Sequence, residues 1–178
     1  IWKIASNLID DYPLLKLIGS FKNQVILSTG MSNIKEIKNA LNNLIQNGTS
    51  LNNITLLQCH TDYPTNISDL NLNVVKTLKN KFKTKVGLSD HSNSLIAPSI
   101  ACMLGATIIE KHITLNKNYK GPDHKASLNT NEFKEMVLNI RNLEIMLGTE
   151  KKIPTKIETN NLKSTRKSIY INKSLKEG

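Results

Sequence analysis

A chain of 178 residues has room for one folded core, since single domains usually hold about 100–200 residues. Hydrophobic residues make up 39% and charged residues 21%, values typical of an ordinary globular protein. No apolar run approaches the ~20 residues that a membrane-spanning helix needs, so a membrane protein is excluded and an enzyme or a binding module remains.

The net charge of +10 raises nucleic acid or an anionic surface as a partner. Its distribution argues against both, because residues 148–178 carry eight basic and three acidic side chains, a net of +5. Arg141 and Arg166 are the only arginines, and aromatic residues reach only 4%, so stacking platforms for bases are not evident. We therefore predict no nucleic-acid or membrane partner. Cys59 and Cys102 lie in apolar segments without pairing spacing, which favours a reducing cytoplasm.

Five short apolar, β-branched runs alternate with amphipathic segments. The predicted strands, in chain order, are 2–6, 24–28, 54–59, 85–89 and 107–112. The predicted helices lie at 12–21, within 30–48 after a cap at Ser32 or Asn33, at 69–82, at 94–104, and within 129–148. Repeated strand–helix units predict parallel strands covered by helices, in an open doubly wound sheet or in part of a barrel.

Polar residues follow nearly every predicted strand, whereas an open sheet gathers its reactive residues at one switch point. This spread favours an α/β fold of the (β/α)8 TIM-type barrel, of which about five strand–helix units are present. A closed barrel has eight strands, so we expect a fragment whose first three units precede residue 1. Residues 1–150 are the predicted partial barrel, 151–165 a linker, and 166–178 the start of a second domain, with strand character at 168–171.

His91 and His112 are separated by 21 residues, which is one strand–helix–strand step. That step places them at equivalent heights on neighbouring strands about 4.8 Å apart, close enough to bind one divalent metal. Ser89 shares a strand face with His91, and Glu110 shares one with His112. The alternative is that each histidine is a hydrogen-bonded residue at a strand end.

A phosphate site is the second candidate feature. Short hydroxyls and one ammonium at strand ends supply directed donors without a glycine-rich loop, and the residues are Lys3, Ser6, Ser28 and Ser89. Asp123 could accept hydrogen bonds from a polyol, contribute to a metal site, or form a turn after Pro122. His60 and His124 are interpreted as incidental, and the sequence has no nucleotide-binding glycine pattern.

Six blocks of the sequence closely resemble the bacterial N-acetylneuraminate (sialic acid) synthases. They are KIAS at 3–6, ILSTGM at 26–31, LQCHTDYP at 57–64, VGLSDHS at 86–92, IEKHITL at 109–115 and GPDHKASL at 121–128. The resemblance implies a barrel followed by a small antifreeze-like (SAF) domain, which RKSI at 166–169 would open. It also implies that phosphoenolpyruvate joins N-acetylmannosamine to give N-acetylneuraminate and phosphate with C–O cleavage.

Residue by residue, the resemblance makes His91 and His112 ligands of a divalent metal, Mn²⁺ with Mg²⁺ and Co²⁺ as alternatives, and groups them with Glu110 as catalytic residues. The implied phosphoenolpyruvate contacts are Lys3, Ser6, Ser28 and Ser89. Thr61 is a further substrate-binding candidate, and Tyr63 and Asp123 match positions that face the sugar. The family's antifreeze-like domain caps a partner barrel, which implies a homodimer for the full-length protein.

One departure bears on the sugar. The family often has Gly-Glu after the serine equivalent to Ser6, with the Glu near the sugar, whereas this chain has Asn7 and Leu8. The alternative function is a sibling synthase that makes legionaminic or pseudaminic acid. A rival of another class is a non-catalytic fragment that at most binds a ligand, because five strands leave a barrel open.

Overall fold

The computed structural model describes residues 1–178, except for the side chain of Lys163. The chain divides into two compact units, Ile1–Met146 and Leu147–Gly178. The first unit contains five parallel strands: β1 (Trp2–Ile4), β2 (Val25–Ser28), β3 (Ile54–Cys59), β4 (Lys85–Asp90) and β5 (Ala106–Lys111). All five strands predicted from the sequence are confirmed, with ends that differ by at most two residues.

Each connection between strands contains a helix. The helices are α1 (Tyr12–Ser20), α2 (Ile34–Gln46), α3 (Asn73–Phe82), α4 (Ala97–Met103) and, after β5, α5 (Thr130–Leu147). The predicted cap of α2 is Asn33, whose side chain accepts hydrogen bonds from the backbone N–H groups of Lys35 and Glu36. Of the helices that the structure describes, none combines the length and apolar character needed to cross a membrane.

The strands lie in the sheet in the same order as in the chain, β1-β2-β3-β4-β5, with no point at which the order reverses. A doubly wound sheet would show such a reversal. The sheet is also strongly curved, because Lys3 on the first strand reaches Glu110 on the last, with Nζ and Oε1 3.5 Å apart. Sequential order and curvature are those of a (β/α) barrel wall.

The convex face of this wall packs against the helices. Its side chains are fully buried and include Val25, Leu27, Ile54, Leu56, Val86 and Leu88, packed against apolar residues of α1 to α4. Each such side chain contributes about 1.5–3 kcal/mol through removal from water. Since side chains alternate along a strand, the concave face receives Lys3, Ser28, Cys59, Ser89 and Glu110, near the carboxyl ends of their strands.

The second unit contains one helix, α6 (Lys156–Thr165), inside the segment predicted to be a linker. Its N-terminus has a capping box, in which the Thr155 hydroxyl accepts from the Glu158 N–H and the Glu158 carboxylate from the Thr155 N–H. The strand predicted at 168–171 is wrong for this chain: these residues form no ladder, and Ile169 and Tyr170 are exposed. A strand needs a partner to satisfy its backbone, and none of the described residues supplies one.

Candidate active site

A cleft of about 360 Å³ opens at the carboxyl ends of the five strands, on the concave face. Nine of the ten predicted site residues line it: Lys3, Ser6, Ser28, Thr61, Tyr63, Ser89, His91, Glu110 and His112. Strand register explains the gathering, because Cys59 is opposite Ser89 and Ser89 is opposite Glu110. Side chains at one level of a parallel sheet therefore meet above the strand ends.

His91 lies immediately after β4 and is buried. Its Nδ1 is 2.6 Å from the carbonyl oxygen of His60. A carbonyl can only accept, so Nδ1 carries the ring proton and donates a hydrogen bond to that oxygen. Burial lowers the pKa of His91 below its usual value, and the hydrogen bond to His60 opposes the shift. The neutral tautomer places the free lone pair of the ring on Nε2.

Ser89 lies between His91 and Glu110. Its Oγ donates to Glu110 Oε1 at 2.7 Å and is 3.2 Å from His91 Nε2. A hydroxyl has one proton, so when that proton is given to the carboxylate the lone pair of Nε2 has no donor from Ser89. Glu110 also lies beside the Lys3 ammonium. It therefore links the histidine side of the cleft, formed by His91 and His112, to the lysine side, formed by Lys3, Ser6 and Ser28.

His112 follows β5 and lies beside His91, with ring centroids 5.4 Å apart and planes inclined by 70°. Tyr63 covers both rings: it stacks on His91 at 4.0 Å and meets His112 edge-on at 5.6 Å. Burial raises the pKa of the Tyr63 phenol, with smaller contributions from Cys59, Asp123 and Glu110. The phenol therefore stays protonated at neutral pH and can donate a hydrogen bond into the cleft.

The lysine side of the cleft has an unusual hydroxyl. Ser28 is 2% exposed, lines the cleft, and among the described residues has no hydrogen-bond partner for its Oγ. Ser6 is held close by Gly30, whose φ of +44° suits glycine and where a Cβ would lie 2.4 Å from the Ser6 side chain. A buried hydroxyl without a partner, in a cleft that an ammonium also lines, is a group that an anionic ligand would satisfy.

Asp123 is the predicted site residue that does not line the cleft. It precedes a short 3₁₀ turn at His124–Ala126, and its carbonyl accepts from the Ser127 hydroxyl at 2.7 Å. Burial is the main cause of the raised pKa of Tyr63, and the Asp123 carboxylate adds a smaller contribution in the same direction. His124 bonds Thr114 through Nδ1 at 2.8 Å, which agrees with its interpretation as incidental to the cleft.

Sequence reasoning missed three contributions to the site. The His60 carbonyl sets the tautomer of His91, although the His60 side chain does not line the cleft. Cys59 and Asn7 also line the cleft. Cys59 ends β3 directly opposite Ser89 on β4, and this equivalent position at a strand end is the signal that could have identified it. Leu8, where the resembling family often has Glu, packs against the hydrophobic core, so this position offers no carboxylate to the cleft.

The two histidines have the donor chemistry of a divalent metal site. His91 presents a neutral nitrogen whose partner nitrogen is fixed by a carbonyl, the usual arrangement of a metal-binding imidazole. The centroids of the two rings are 5.4 Å apart, so a nitrogen of each ring could ligate the same ion if a metal were bound. Within the described part of the chain, no set of three or more His, Cys, Asp or Glu side chains is arranged to hold a metal. The described residues thus offer two imidazole donors at this place in the cleft.

Comparison with known proteins gives one family match. The profile of the NeuB family matches residues 1–152. A Methanocaldococcus jannaschii protein described as uncharacterized is 48% identical over 177 residues, covering 99% of this chain and 52% of that protein. The N,N'-diacetyllegionaminic acid synthase of Campylobacter jejuni is 44% identical over 178 residues, 100% of this chain and 53% of its own length. A pseudaminic acid synthase of Campylobacter jejuni is 37% identical, covering 99% and 51%.

Solved structures agree with the fold. The N-acetylneuraminic acid synthetase of Leptospira borgpetersenii superposes with a TM-score of 0.80 at 33% identity, over 91% of this chain and 56% of that one. A truncated 3-deoxy-D-arabino-heptulosonate 7-phosphate synthase from Thermotoga maritima gives 0.70 at 20% identity, over 83% and 59%, a likeness of fold alone. The predicted barrel-type α/β fold is confirmed. The chain spans about half the length of the curated relatives it matches.

Proposed function

The chain belongs to the NeuB family, and from this premise we propose that it forms the catalytic face of a nonulosonic acid synthase. The proposed reaction joins phosphoenolpyruvate to an N-acetylated amino sugar and releases inorganic phosphate. The observation that carries the proposal is the pairing of His91 and His112 in one cleft with Lys3 and the unpartnered Ser28. That cleft combines a place for a metal with a place for a phosphate.

The phosphate of phosphoenolpyruvate would lie on the lysine side of the cleft. Lys3 supplies an ammonium, and the Ser28 hydroxyl, unpartnered within the described structure, supplies a donor that is already desolvated. Ser6, held against Gly30, and Ser89 complete the proposed set. Fixed donors of this kind hold the enol of the substrate in one orientation, which is the main contribution that a site can make to a bimolecular condensation.

His91 and His112 would hold the metal, for which we propose Mn²⁺, with Mg²⁺ and Co²⁺ as alternatives. When bound, a divalent ion acts as a Lewis acid on the sugar aldehyde. The chain's own contribution is orientation: the His60 carbonyl keeps the Nε2 lone pair of His91 available, and Tyr63 stacks on His91 and contacts His112 edge-on. Glu110, half-exposed beside Lys3 and Ser89, is the proposed group that exchanges protons with the reacting oxygens.

The proposed condensation of phosphoenolpyruvate with the sugar conserves every carbon and oxygen atom. The methylene carbon of phosphoenolpyruvate bonds to the aldehyde carbon, and the aldehyde oxygen takes up a proton and becomes a hydroxyl. Water adds to the neighbouring carbon, which bears the phosphate ester, and supplies the oxygen of the new keto group. The bond between this ester-bearing carbon and the bridging oxygen breaks, so inorganic phosphate leaves with the bridging oxygen. The Tyr63 phenol lines the cleft, and its raised pKa means that it holds its proton at neutral pH.

N-acetylmannosamine, and hence N-acetylneuraminate as product, is the sugar assignment predicted from the sequence. A second candidate is the sibling reaction that forms legionaminic acid. Two observations favour it: Leu8 turns into the core where the resembling family often presents Glu, and proteins named legionaminic acid synthases are 44% and 37% identical to this chain.

Product analysis tests the proposal. The complete protein that carries this chain is incubated with phosphoenolpyruvate, Mn²⁺ and, in separate reactions, the N-acetylated sugar precursor of neuraminic, legionaminic or pseudaminic acid. We expect one of the three sugars to give a nine-carbon acid and stoichiometric phosphate, identified by mass spectrometry. Consumption of none of the three, with a folded protein, would contradict the proposal and favour the non-catalytic alternative.

A further inference from the structure

A buried ion pair lies behind the candidate active site, on the convex face of the sheet. Lys111 Nζ is 2.7 Å from Asp90 Oδ2, and the two side chains are 1% and 0% exposed. Asp90 and Lys111 are the last residues of β4 and β5 and are paired in register. Neither side chain lines the cleft, so neither has a place among the residues that would touch substrate.

The pair is tied to the turn that carries His91. The second oxygen of Asp90, Oδ1, accepts from the backbone N–H of Ser92 at 2.8 Å, which closes a turn over His91. Lys111 Nζ donates in addition to the Ser92 carbonyl. The backbone of Ser92, the residue after His91, is thus held by both members of the pair. Its N–H donates to Asp90, and its C=O accepts from Lys111.

Position in the chain gives the pair its significance. His91 is the residue between Asp90 and Ser92, and His112 directly follows Lys111. A displacement of Asp90 relative to Lys111 therefore moves one imidazole relative to the other. The two rings lie 5.4 Å apart by centroid, and two bonds to a single ion tolerate little change in that separation.

We propose that the Asp90–Lys111 pair is a positioning device that sets the mutual placement of His91 and His112. This inference rests on the proposed function, in which the two imidazoles hold one metal. Packing alone gives a weaker account, because an apolar pair of similar volume in place of a buried ion pair is often as stable or more so.

The main test compares Lys111→Met with Leu78→Ala in the complete protein that carries this chain. Leu78 is fully buried in α3, away from the cleft, so its truncation destabilises the fold without touching the ion pair. Thermal unfolding compares the loss of stability in the two variants. Calorimetry measures the dissociation constant of Mn²⁺ in the absence of substrates. We expect Lys111→Met to weaken Mn²⁺ binding by about 10- to 100-fold, as loss of an outer support of a metal ligand does. Leu78→Ala should stay within about twofold of wild type.

Kinetics give a second readout. Lys111→Met should lower kcat in proportion to the loss of metal affinity, with the KM for phosphoenolpyruvate nearly unchanged, because the lysine side of the cleft is intact. Lys111→Arg, which keeps the charge and the donors, should recover most of the Mn²⁺ affinity. Mn²⁺ affinity within about twofold of wild type in Lys111→Met, or an equal loss in Leu78→Ala, would overturn the positioning role.

A double variant and the ¹⁵N spectrum of the His91 ring provide two further measurements. If Lys111→Met does not fold, the double variant Asp90→Asn/Lys111→Met leaves no buried charge unpaired and still lacks the Nζ bond to Ser92, so the same loss of Mn²⁺ affinity is expected. If wild type binds no Mn²⁺, the proposed function fails, and the ¹⁵N spectrum of the His91 ring still tests the pair. Wild type should show the Nδ1-protonated form and Lys111→Met a mixture of tautomers; identical spectra would overturn the inference.

Discussion

Ser28 is a residue at which binding and stability are expected to oppose each other. Its hydroxyl is buried in the cleft, and none of the described groups bonds it. An unsatisfied buried hydroxyl destabilises a fold by about 1–3 kcal/mol, so Ser28→Ala should raise the free energy of unfolding by about 1 kcal/mol. The same change should raise the KM for phosphoenolpyruvate about tenfold, the value of one hydrogen bond to a charged group.

Thr84→Val is the matched control for Ser28→Ala. Thr84 Oγ1 is likewise buried and without a partner in the described structure, but it precedes β4 at the opposite end of the sheet. Its replacement should stabilise the protein similarly and leave the KM unchanged. Denaturant unfolding and steady-state kinetics measure both effects. A Ser28→Ala protein that is less stable, or whose KM is unaltered, would contradict the assignment of this hydroxyl.

Lys3 is expected to act through phosphoenolpyruvate and not through the sugar, since an ammonium suits a phosphate and has no evident role with a neutral sugar. Lys3→Ala should raise the KM for phosphoenolpyruvate by at least about tenfold and leave the KM for the sugar within about twofold. Lys85→Ala, an exposed lysine at the amino end of β4, serves as the control. Equal effects on both substrates would count against the assignment.

At the level of single residues, the sequence predicts best what depends on strand parity, although Thr61 and Tyr63 of the loop after β3 also line the cleft as predicted. The 21-residue step from His91 to His112 was sufficient to predict two adjacent rings, and the structure places their centroids 5.4 Å apart. The carbonyl of His60, which fixes one tautomer, comes from the loop after β3, whose path no periodicity specifies. Asp123 also lies on a loop and is not among the residues that line the cleft, so its predicted contact with the sugar stays a prediction.

Among the elements, the start of α5 contains a testable charge network. Glu132 Oε1 accepts from Lys117 Nζ at 2.8 Å, and Oε2 accepts from the Asn129 N–H at 2.8 Å, so the helix is capped and joined to the preceding loop. The hydrogen bond with Lys117 is the main reason that the pKa of Glu132 is lowered. Glu132→Gln keeps the shape and removes the charge, at an expected loss of up to about 1 kcal/mol.

The pH dependence of that loss follows from the sign of the shift. In the unfolded chain the pKa of a Glu is about 4.3, and in the folded protein that of Glu132 is lower, so the unfolded state binds more protons between the two values. The stabilisation is therefore complete above about pH 5 and is lost as the pH falls through the lowered pKa. Melting temperatures should separate wild type from Glu132→Gln by about 1–3 °C at pH 7 and converge in acid.

Glu144→Gln provides the control on the same helix, because Glu144 pairs with Arg141 on an exposed surface. Its effect should be smaller, since exposed pairs contribute about 0–1 kcal/mol and are screened by salt. A Glu132→Gln protein whose melting temperature equals that of wild type across pH 4–7 would show that the network at the start of α5 contributes no stability.

Strands were predicted better than the segment after α5, and the reason is burial. The segments that form β2 to β4 are buried on one or both faces of the sheet, so their side chains must be mostly apolar. A short run of apolar residues is easily recognised in a sequence. Helix α6 has no such signal: its residues are mostly polar and exposed, and the capping box at Thr155 and Glu158 defines its start. Pro154 and alternating charge with little apolar content therefore predict a linker where the structure has this helix.

At the scale of the whole molecule, the curved sheet has two edges, β1 and β5. A cavity of about 320 Å³ lies on the concave face at the amino ends of the strands, lined in part by Ile26, Thr55 and Ile108. Edge backbone and this apolar lining are open to water in the 178-residue chain. We predict that the chain on its own binds a hydrophobic dye and releases no phosphate. A sharp cooperative thermal transition together with turnover would contradict this prediction.

The most direct test of the proposed metal-dependent synthase is the Mn²⁺-dependent release of phosphate by the complete protein that carries this chain, measured for wild type, His91→Ala and His112→Ala. We expect wild type to release one phosphate per phosphoenolpyruvate only when both sugar and Mn²⁺ are present. Each variant should keep its fold and lose at least about 100-fold in rate and in Mn²⁺ affinity, because each removes one of two protein ligands. Mn²⁺ affinity and phosphate release that are unchanged in both variants would contradict it.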